Sequence, residues 1–316
     1  MRKLMIILLG ILLVVVLSSG VFAFPDKPIK AIIGYEAGSS SDIAGRTFLQ
    51  MVEKDLGQPV MIINKPGASS ALAMREVFAS KPDGYTFGLS CSINVLKFQG
   101  LLPQNHRDFD VLGVPSLTWS VLAVPAKSPF KTAKELIEFA KANPGKLRFT
   151  TTTKGAVYWI QAKYLERVTG TRFNLVINPG GSNFVVTQLG GNHADVGFTS
   201  YKALQSQIDA GNARVLAVTT EKRVPGFTNL PTFKEQGYDI VLTSWVAHVA
   251  PKGLPPEVSK KLLEAYKKVS SSPEWKEWCD QKGSVPSPDN IGEGGAKFLD
   301  QDGEMQKPIL EAIAAK

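Results

Sequence analysis

Three stretches rich in glycine, serine and threonine have residue types suited to gripping a ligand. The first is Tyr35-Glu36-Ala37-Gly38-Ser39-Ser40-Ser41-Asp42, the second Thr151-Thr152-Thr153-Lys154-Gly155, the third Asn178-Pro179-Gly180-Gly181-Ser182-Asn183. Each follows a short apolar run of strand character and precedes a helical pattern. A helix start presents N–H groups without intrahelical acceptors and a partial positive charge, and small side chains let a ligand reach them. That chemistry suits a carboxylate or another anion. Each loop read alone is equally an ordinary β-α turn, with Asp42 as a helix cap rather than a ligand contact. Ala68, in the loop after Asn64, and Ser90 and Ser92, after the strand Tyr85–Ser90, also stand at strand ends. They could line the same site or cap turns. Asp195 could hydrogen-bond a solute or bridge loops. Tyr35, Tyr158 and Trp159 could cover the apolar part of a ligand or fill core.

Other chemistries find little support. The three histidines, His106, His193 and His248, are far apart and match no metal or triad spacing, and no Gly-x-Ser-x-Gly elbow occurs. No metal or cofactor is expected. Cys91 and Cys279 are the only cysteines; an oxidising compartment would permit a disulfide, and two separate buried thiols are the alternative. The formal net charge is +8, carried by scattered residues rather than by a basic stripe with interleaved aromatics, so nucleic-acid binding is not expected.

The elements that must position these loops alternate between strand and helix. Ile29–Ile33, Pro59–Asn64, Tyr85–Ser90, Ser120–Val124, Leu147–Thr152, Phe173–Ile177, Ala194–Phe198, Arg214–Thr219 and Trp245–Ala250 read as strands. Helices fill the spaces, with Thr132/Glu135 and Thr232/Glu235 spaced as capping boxes. The pattern predicts an α/β fold with largely parallel sheets, in which ligands bind at the carboxyl ends of the strands. Two domains presenting such loops to one another would form a cleft. Gly292, Gly294, Gly295 and Gly303 argue against a long C-terminal helix. Before all this, Arg2 and Lys3 precede an apolar run from Leu4 to Leu17, and Val21-Phe22-Ala23 supplies small residues. This is the pattern of a secretory signal peptide, residues 1–23, cleaved after Ala23. Removing Arg2 and Lys3 would lower the net charge to +6, because residues 1–23 carry no acid.

An ordered set of motifs gives the chain a resemblance. Phe24-Pro25-Asp26-Lys27-Pro28-Ile29, Gly57-Gln58-Pro59-Val60, Asn64-Lys65-Pro66-Gly67-Ala68 and Pro82-Asp83-Gly84-Tyr85-Thr86 open it. Ala142-Asn143-Pro144-Gly145-Lys146-Leu147, Leu189-Gly190-Gly191, Leu230-Pro231-Thr232 and Trp245 to Pro251 continue it. In this order they resemble the solute-binding proteins of tripartite tricarboxylate transporters, often called Bug proteins. The resemblance implies a two-domain periplasmic clamp of type II topology, the Venus-flytrap form, with residues 121–231 as one domain and 24–120 plus 232–316 as the other. It implies a monomer that is not an enzyme, that holds a small organic anion in the interdomain cleft and that delivers it to transporter membrane subunits. A ligand-sensing partner of a signalling system and a secreted α/β hydrolase are the alternatives.

The departures from the family fall in the loops. Glu36 precedes Ala37-Gly38-Ser39 where the family usually has an apolar residue or proline, and an acid there would oppose an anion if it faced the cleft. Thr153 stands for a usual glycine, Ala156 for Ser or Thr, and Trp159 for His; Lys154 adds a cation that either binds carboxylate or is one more surface lysine. Asn178-Pro179 replaces Tyr-Lys in the third loop, of which the Gly180-Gly181 pair remains.

Overall fold

The computed structural model describes residues 24–152, 154–177 and 181–314, arranged as two α/β lobes. The chain enters the first lobe through β1 (Ile29–Ile33), α1 (Ser40–Leu56), β2 (Val60–Asn64), α2 (Ala71–Phe78), β3 (Thr86–Ser90) and β4 (Phe109–Gly113). It crosses into the second lobe with β5 (Ser116–Pro125) and continues through α3 (Ala133–Ala142), β6 (Arg148–Thr151), α4 (Val157–Thr169), β7 (Asn174–Ile177), α5 (Gly181–Gly190), β8 (Val196–Ser200), α6 (Tyr201–Asp209), β9 (Ala213–Val218) and β10 (Thr243–Trp245). It returns by β11 (Ala247–Pro251), α7 (Pro256–Ser270), α8 (Pro273–Lys282), β12 (Ser284–Pro286) and α9 (Glu293–Ala314).

The first sheet has the order β2-β1-β3-β11-β4, with β1 parallel to both neighbours and β11 antiparallel to β3 and β4. The second has the order β10-β5-β8-β6-β7, with β9 and β12 also paired to β5. Strand alternation divides each sheet between two cores. Ile29, Ala31 and Ile33 pack beneath α1, α7 and α8 with Phe48, Tyr266 and Trp275, while Ile32 faces α2 with Met74 and Val77. In β5, Leu122 and Val124 join Phe149 and Phe198 on one face, and Val121 and Ala123 join Val185 and Leu204 on the other. Phe233, Ile240 and Leu242 are buried in the second lobe's core.

Local chemistry explains the helix ends. Ser39 caps α1 by accepting from Asp42 N, Thr132 caps α3 and Ser272 caps α8, and Gly57, Gly170 and Gly283 end α1, α4 and α8 in the left-handed conformation. The Thr232/Glu235 pair forms the full reciprocal box, yet the turn it caps is a single 3₁₀ turn, Lys234–Gln236.

Three expectations need correction. The sheets are mixed rather than largely parallel, because β5 and β11, which carry the chain between the lobes, run opposite to their neighbours: β5 is antiparallel to β8, β9, β10 and β12, and β11 to β3 and β4. The C-terminal glycines do not prevent a long helix: α9 runs 22 residues, with Pro308 inside it. An ideal Cβ on Gly294 would lie 1.8 Å from Asp289 O, and one on Gly295 would lie 2.6 Å from Asn290 O, so these glycines allow α9 to pack against its neighbouring backbone. Tertiary packing overrides propensity here. The expected strand Trp245–Ala250 is two strands, because the chain passes from one sheet to the other at Val246.

The α9 helix spans the lobes. Leu299 packs in the first lobe, Met305 lies against the second lobe's core, and Ile309 and Leu310 pack with Trp159 and Ile160 of α4. The Pro115 carbonyl, at the β4-to-β5 crossover, accepts from Trp275 Nε1 at 3.1 Å and from Ser287 N at 3.0 Å. No helix among the described residues is long and apolar enough to cross a membrane.

Candidate functional site

A cavity of about 370 Å³ opens between the lobes. Its first wall is built from the β1-to-α1 connection. Gly34 is required there, since a Cβ would lie 2.3 Å from Ser70 Cβ. Tyr35 turns inward; its hydroxyl accepts from Cys91 N at 2.9 Å and lies 3.3 Å from Ser92 Oγ. Burial, then the neighbouring Cys91, raise the Tyr35 phenol, and burial also raises the Cys91 thiol, so both stay neutral. Ser40 and Ser41, the first residues of α1, line the cavity beside them, where their N–H groups have no intrahelical acceptor.

Asp42 holds this wall rather than lining it. It is 3% exposed; Oδ2 accepts from Gly38 N at 2.9 Å, and Oδ1 accepts from Arg46 Nη2 at 2.8 Å and Asn64 Nδ2 at 2.7 Å. Burial alone would raise this carboxyl, but the bonds from Arg46, Asn64 and Gly38 hold it below the usual carboxylate range. Asn64 Nδ2 also donates to Tyr35 O at 3.0 Å, so the acid fixes the loop through both of its ends. Next to it, Ala68, Ser69 and Ser70 take φ of 45°, 53° and 80°, three consecutive non-glycine residues in the left-handed region. Ser70 is anchored by a 2.7 Å bond between its Oγ and Ser90 Oγ, and Ser69 reaches the cavity. Each such residue costs roughly 1–2 kcal/mol of strain, which the surrounding packing must hold.

The opposite wall is the start of α4. Gly155 has φ of +83°, and a Cβ there would meet Gln99 Nε2 at 2.1 Å. Ala156 is the N-cap and its side chain makes no capping bond, and Gly155, Ala156, Val157 and Tyr158 line the cavity at this helix start. The exposed Lys154 lines the mouth. The remaining walls come from β5 (Ser116, Thr118), β10 (Thr243, Ser244, Trp245), Ser200 and α9 (Asp302, Met305, Gln306). Among the described residues, Lys154 is the lining's one cation and Asp302 its one acid. Burial pushes the Asp302 carboxyl up, against hydrogen bonds from Trp245, Asn94 and Gln306.

The structure thus brings together at the cavity six of the residues singled out in the sequence: Tyr35, Ser40, Ser92, Lys154, Gly155 and Tyr158. Others fall elsewhere. Glu36, Ala37, Gly38 and Ala68 are exposed outside the lining, and Ser39 is occupied as a cap. Ser90 and Thr151 are buried behind the lining. Asp195 does not serve the cleft: it starts the strand run at β8 and pairs with Arg148 Nη2 at 2.9 Å at the amino ends of β6 and β8, opposite the loops. Trp159 is core, packed with Val95 and Ile309. Thr153 and Gly180 lie outside the described residues; Gly181 and Ser182 begin α5. Cys91 and Cys279 are both free thiols, the first in the cavity wall and the second buried in the first lobe.

Residues 44–314 match the model of the tripartite tricarboxylate transporter family receptor. The chain belongs to that family. A UPF0065 protein encoded in the gbd 5′ region of Cupriavidus necator is 33% identical over 294 residues, covering 92% of this chain and 88% of its own. A crystal structure of a TctC solute-binding protein from Polaromonas, without ligand, superposes with a TM-score of 0.78 at 28% identity, over 92% of this chain and 99% of that one. The malate-bound MatC protein of Rhodopseudomonas palustris shares the fold, with a TM-score of 0.75 at 18% identity over 91% of this chain and all of its own. The receptors of this family are periplasmic solute-binding proteins and not enzymes, and their fold is the two-domain clamp.

The sequence signals missed Asp302, Gln306, Gln161 and Ser244, all in the lining. One signal was present for Gln161: a polar residue directly beside the apolar stripe that includes Ile160.

Proposed function

We propose that this receptor binds a small carboxylate-bearing solute between its lobes and delivers it to the membrane subunits of a tripartite tricarboxylate transporter. The observation that carries the reading is that two helix N-termini, those of α1 and α4, open from opposite lobes onto one cavity of about 370 Å³. A carboxylate between them would accept from Ser40 and Ser41 N–H on one side and from the first turn of α4 on the other, with each lobe supplying half of its hydrogen bonds. Closure then follows from binding, because the bonds form only when both lobes face the anion. Glu36 lies in solvent outside the lining, where its charge is screened. Lys154 adds an exposed cation at the mouth. The malate in the MatC protein is consistent with a carboxylate ligand. Tyr158 covers the apolar part of the solute.

Export with cleavage after Ala23 and action as a monomer complete the reading. The two working domains are 24–120 with 232–316, and 121–231; the pairing of β5 and β10 favours moving 116–120 and 232–245 into the second. Calorimetry against carboxylates and their matched amides tests the central statement. Acids should bind and amides with no other charge should not, and Lys154→Ala should weaken the acids severalfold. Equal affinity for acid and amide would refute it.

A further inference from the structure

Part of the cavity wall is polar in a way that an anion cradle does not use. Gln161, on α4, is 2% exposed, and neither its Oε1 nor its Nε2 has a partner. Gln306, on α9, is 7% exposed; its Nε2 donates to Asp302 Oδ2 at 2.7 Å, and its Oε1 has no partner. Ser244 Oγ in β10 is also unpaired. All three residues line the cavity. Ile160 packs against Ile309 and Leu310, which sets Gln161 and Gln306 on adjoining walls. Leaving buried amide groups unpaired is costly, so a chain that keeps them in a cavity wall gains when something in the cavity pairs them.

The orientation of Gln306 is fixed. Asp302 Oδ1 accepts from Trp245 Nε1 at 3.0 Å, and Oδ2 accepts from Asn94 Nδ2 at 3.2 Å. The Asn94 amide is itself oriented, because its Nδ2 also donates to Leu299 O at 2.8 Å and its Oδ1 faces His106 Nδ1 at 2.7 Å. A carboxylate only accepts, so the Gln306 nitrogen faces Asp302 and its oxygen faces away. The unpaired set is therefore two amide oxygens, one amide NH₂ and one hydroxyl. Its complement is a group that donates at least twice and accepts once. A second carboxylate accepts only, and would meet two amide oxygens close to Asp302.

We propose that Gln161, Gln306 and Ser244 form a head-group subsite that selects solutes carrying, besides the carboxylate, a neutral hydrogen-bond-donating group, best a primary carboxamide, and that it discriminates against dicarboxylates. This rests on the carboxylate reading above. Asp302, Asn94 and Trp245 position the Gln306 amide.

Calorimetry on the ligand-free mature chain tests it with glutaramate, glutarate, valerate and valeramide, and with the four-carbon and six-carbon members of each series. In the best-fitting series the ω-amide acid should bind at least about tenfold tighter than both the dicarboxylate and the plain acid, the scale of one well-made hydrogen bond. Gln161→Met, and Gln161→Leu as its second form, should bring the ω-amide acid to the affinity of the plain acid measured on the same variant. The wild-type comparison needs no variant, so a variant that fails to fold leaves the test intact. A dicarboxylate that binds as tightly as its ω-amide acid overturns the subsite, as does an ω-amide acid no tighter than the plain acid. Valeramide binding as tightly as valerate overturns the carboxylate reading instead. Absence of binding throughout all three series overturns both.

Discussion

Asp42 is the residue whose loss should separate holding the cavity wall from touching the solute. Replacement by asparagine keeps the shape and removes the charge. Three residues donate to the carboxylate: Gly38 through N, Asn64 through Nδ2, and Arg46 through Nη2 and, at 3.4 Å, Nε. An asparagine can face its single oxygen to Arg46 and Asn64, as Oδ1 does now. Its NH₂ then replaces Oδ2 and confronts the Gly38 N–H. Hydrogen bonds to a charged acceptor contribute about 1.5–3 kcal/mol each and neutral ones about 0.5–1.5, so weakening two costs roughly 2 kcal/mol. The orphaned Gly38 donor adds about 1 kcal/mol, the low end for a group beside solvent. Half-exposed Arg46 can turn to water, which keeps the total at the low end of the roughly 3–5 kcal/mol of a broken buried pair. The expected loss is about 3 kcal/mol.

Denaturant unfolding of Asp42→Asn, followed by tryptophan fluorescence, measures this loss, and calorimetry with the preferred carboxylate measures binding. Affinity should fall by about tenfold, because the Gly34–Ser39 loop that carries Tyr35 and the start of α1 loses its tether. Stability and affinity must fall together. An unchanged stability with lost affinity would mean that Asp42 contacts the solute, and the tether argument would be refuted. A loss below about 0.5 kcal/mol in both would show that these bonds are not made in solution.

Other outcomes follow from the same geometry. His248 is buried against Tyr266 and Phe48, and burial pushes its pKa down to about 3 from 6.5, so the unfolded chain binds a proton that the native one refuses; stability is full above pH 6.5 and should fall by about 1.4 kcal/mol per pH unit from pH 6 to 5. His106, also lowered by burial, adds to that slope, and the paired carboxylates join only nearer pH 4; His248→Gln should remove most of the loss in urea titrations at pH 5 and 6.5, and an unaltered slope would contradict its burial. Ser69→Gly should raise stability by about 1 kcal/mol by relieving a left-handed residue, whereas Gly155→Ala should lower it by about 1–2 kcal/mol for the opposite reason; opposite signs in paired thermal melts are the check. Small-angle scattering should show a smaller radius of gyration at saturating solute, and superimposable curves would speak against a clamp.

How much of this was legible in the sequence depends on where each signal is stored. The strand and helix alternation was, because the pairs Thr132/Glu135 and Thr232/Glu235 act on their own neighbours, although the cap of α1 is Ser39 rather than the expected Asp42, whose N–H it accepts. The α9 helix was not, because Gly294 and Gly295 answer to the backbone of Asp289 and Asn290 and to Gly113, across a close contact that the local pattern cannot reveal. The split at Val246 was hidden for the same reason: nothing in Trp245–Ala250 marks a change of sheet. Of the site, the two helix starts were visible as small-residue loops. Their side-chain accounting was not. Asp42 and Asp195 look alike in sequence, and only their partners, Arg46 with Asn64 in one case and Arg148 in the other, place one behind the cavity and the other at the far end of the strands.

The division of labour in the cavity explains why one half of the site was readable and the other was not. The proposed anion cradle would use backbone N–H groups, so the sequence shows it only as an absence of bulk, at Ser40, Ser41, Gly155 and Ala156. Backbone donors bind any carboxylate of the right size and say little about the rest of the solute. Discrimination has to come from side chains, and these arrive from α4, β10 and α9, elements separated by up to 145 residues between Gln161 and Gln306. The α9 helix makes that assembly possible, since it is rooted beside Leu299 in one lobe and ends against Trp159 of the other. A helix that bridges the lobes while lining the cavity couples the two events: whatever seats on Gln306 also bears on the element that joins them. On the proposed reading, the cradle would set the charge that the receptor accepts, and α9 would set which bearer of that charge closes it.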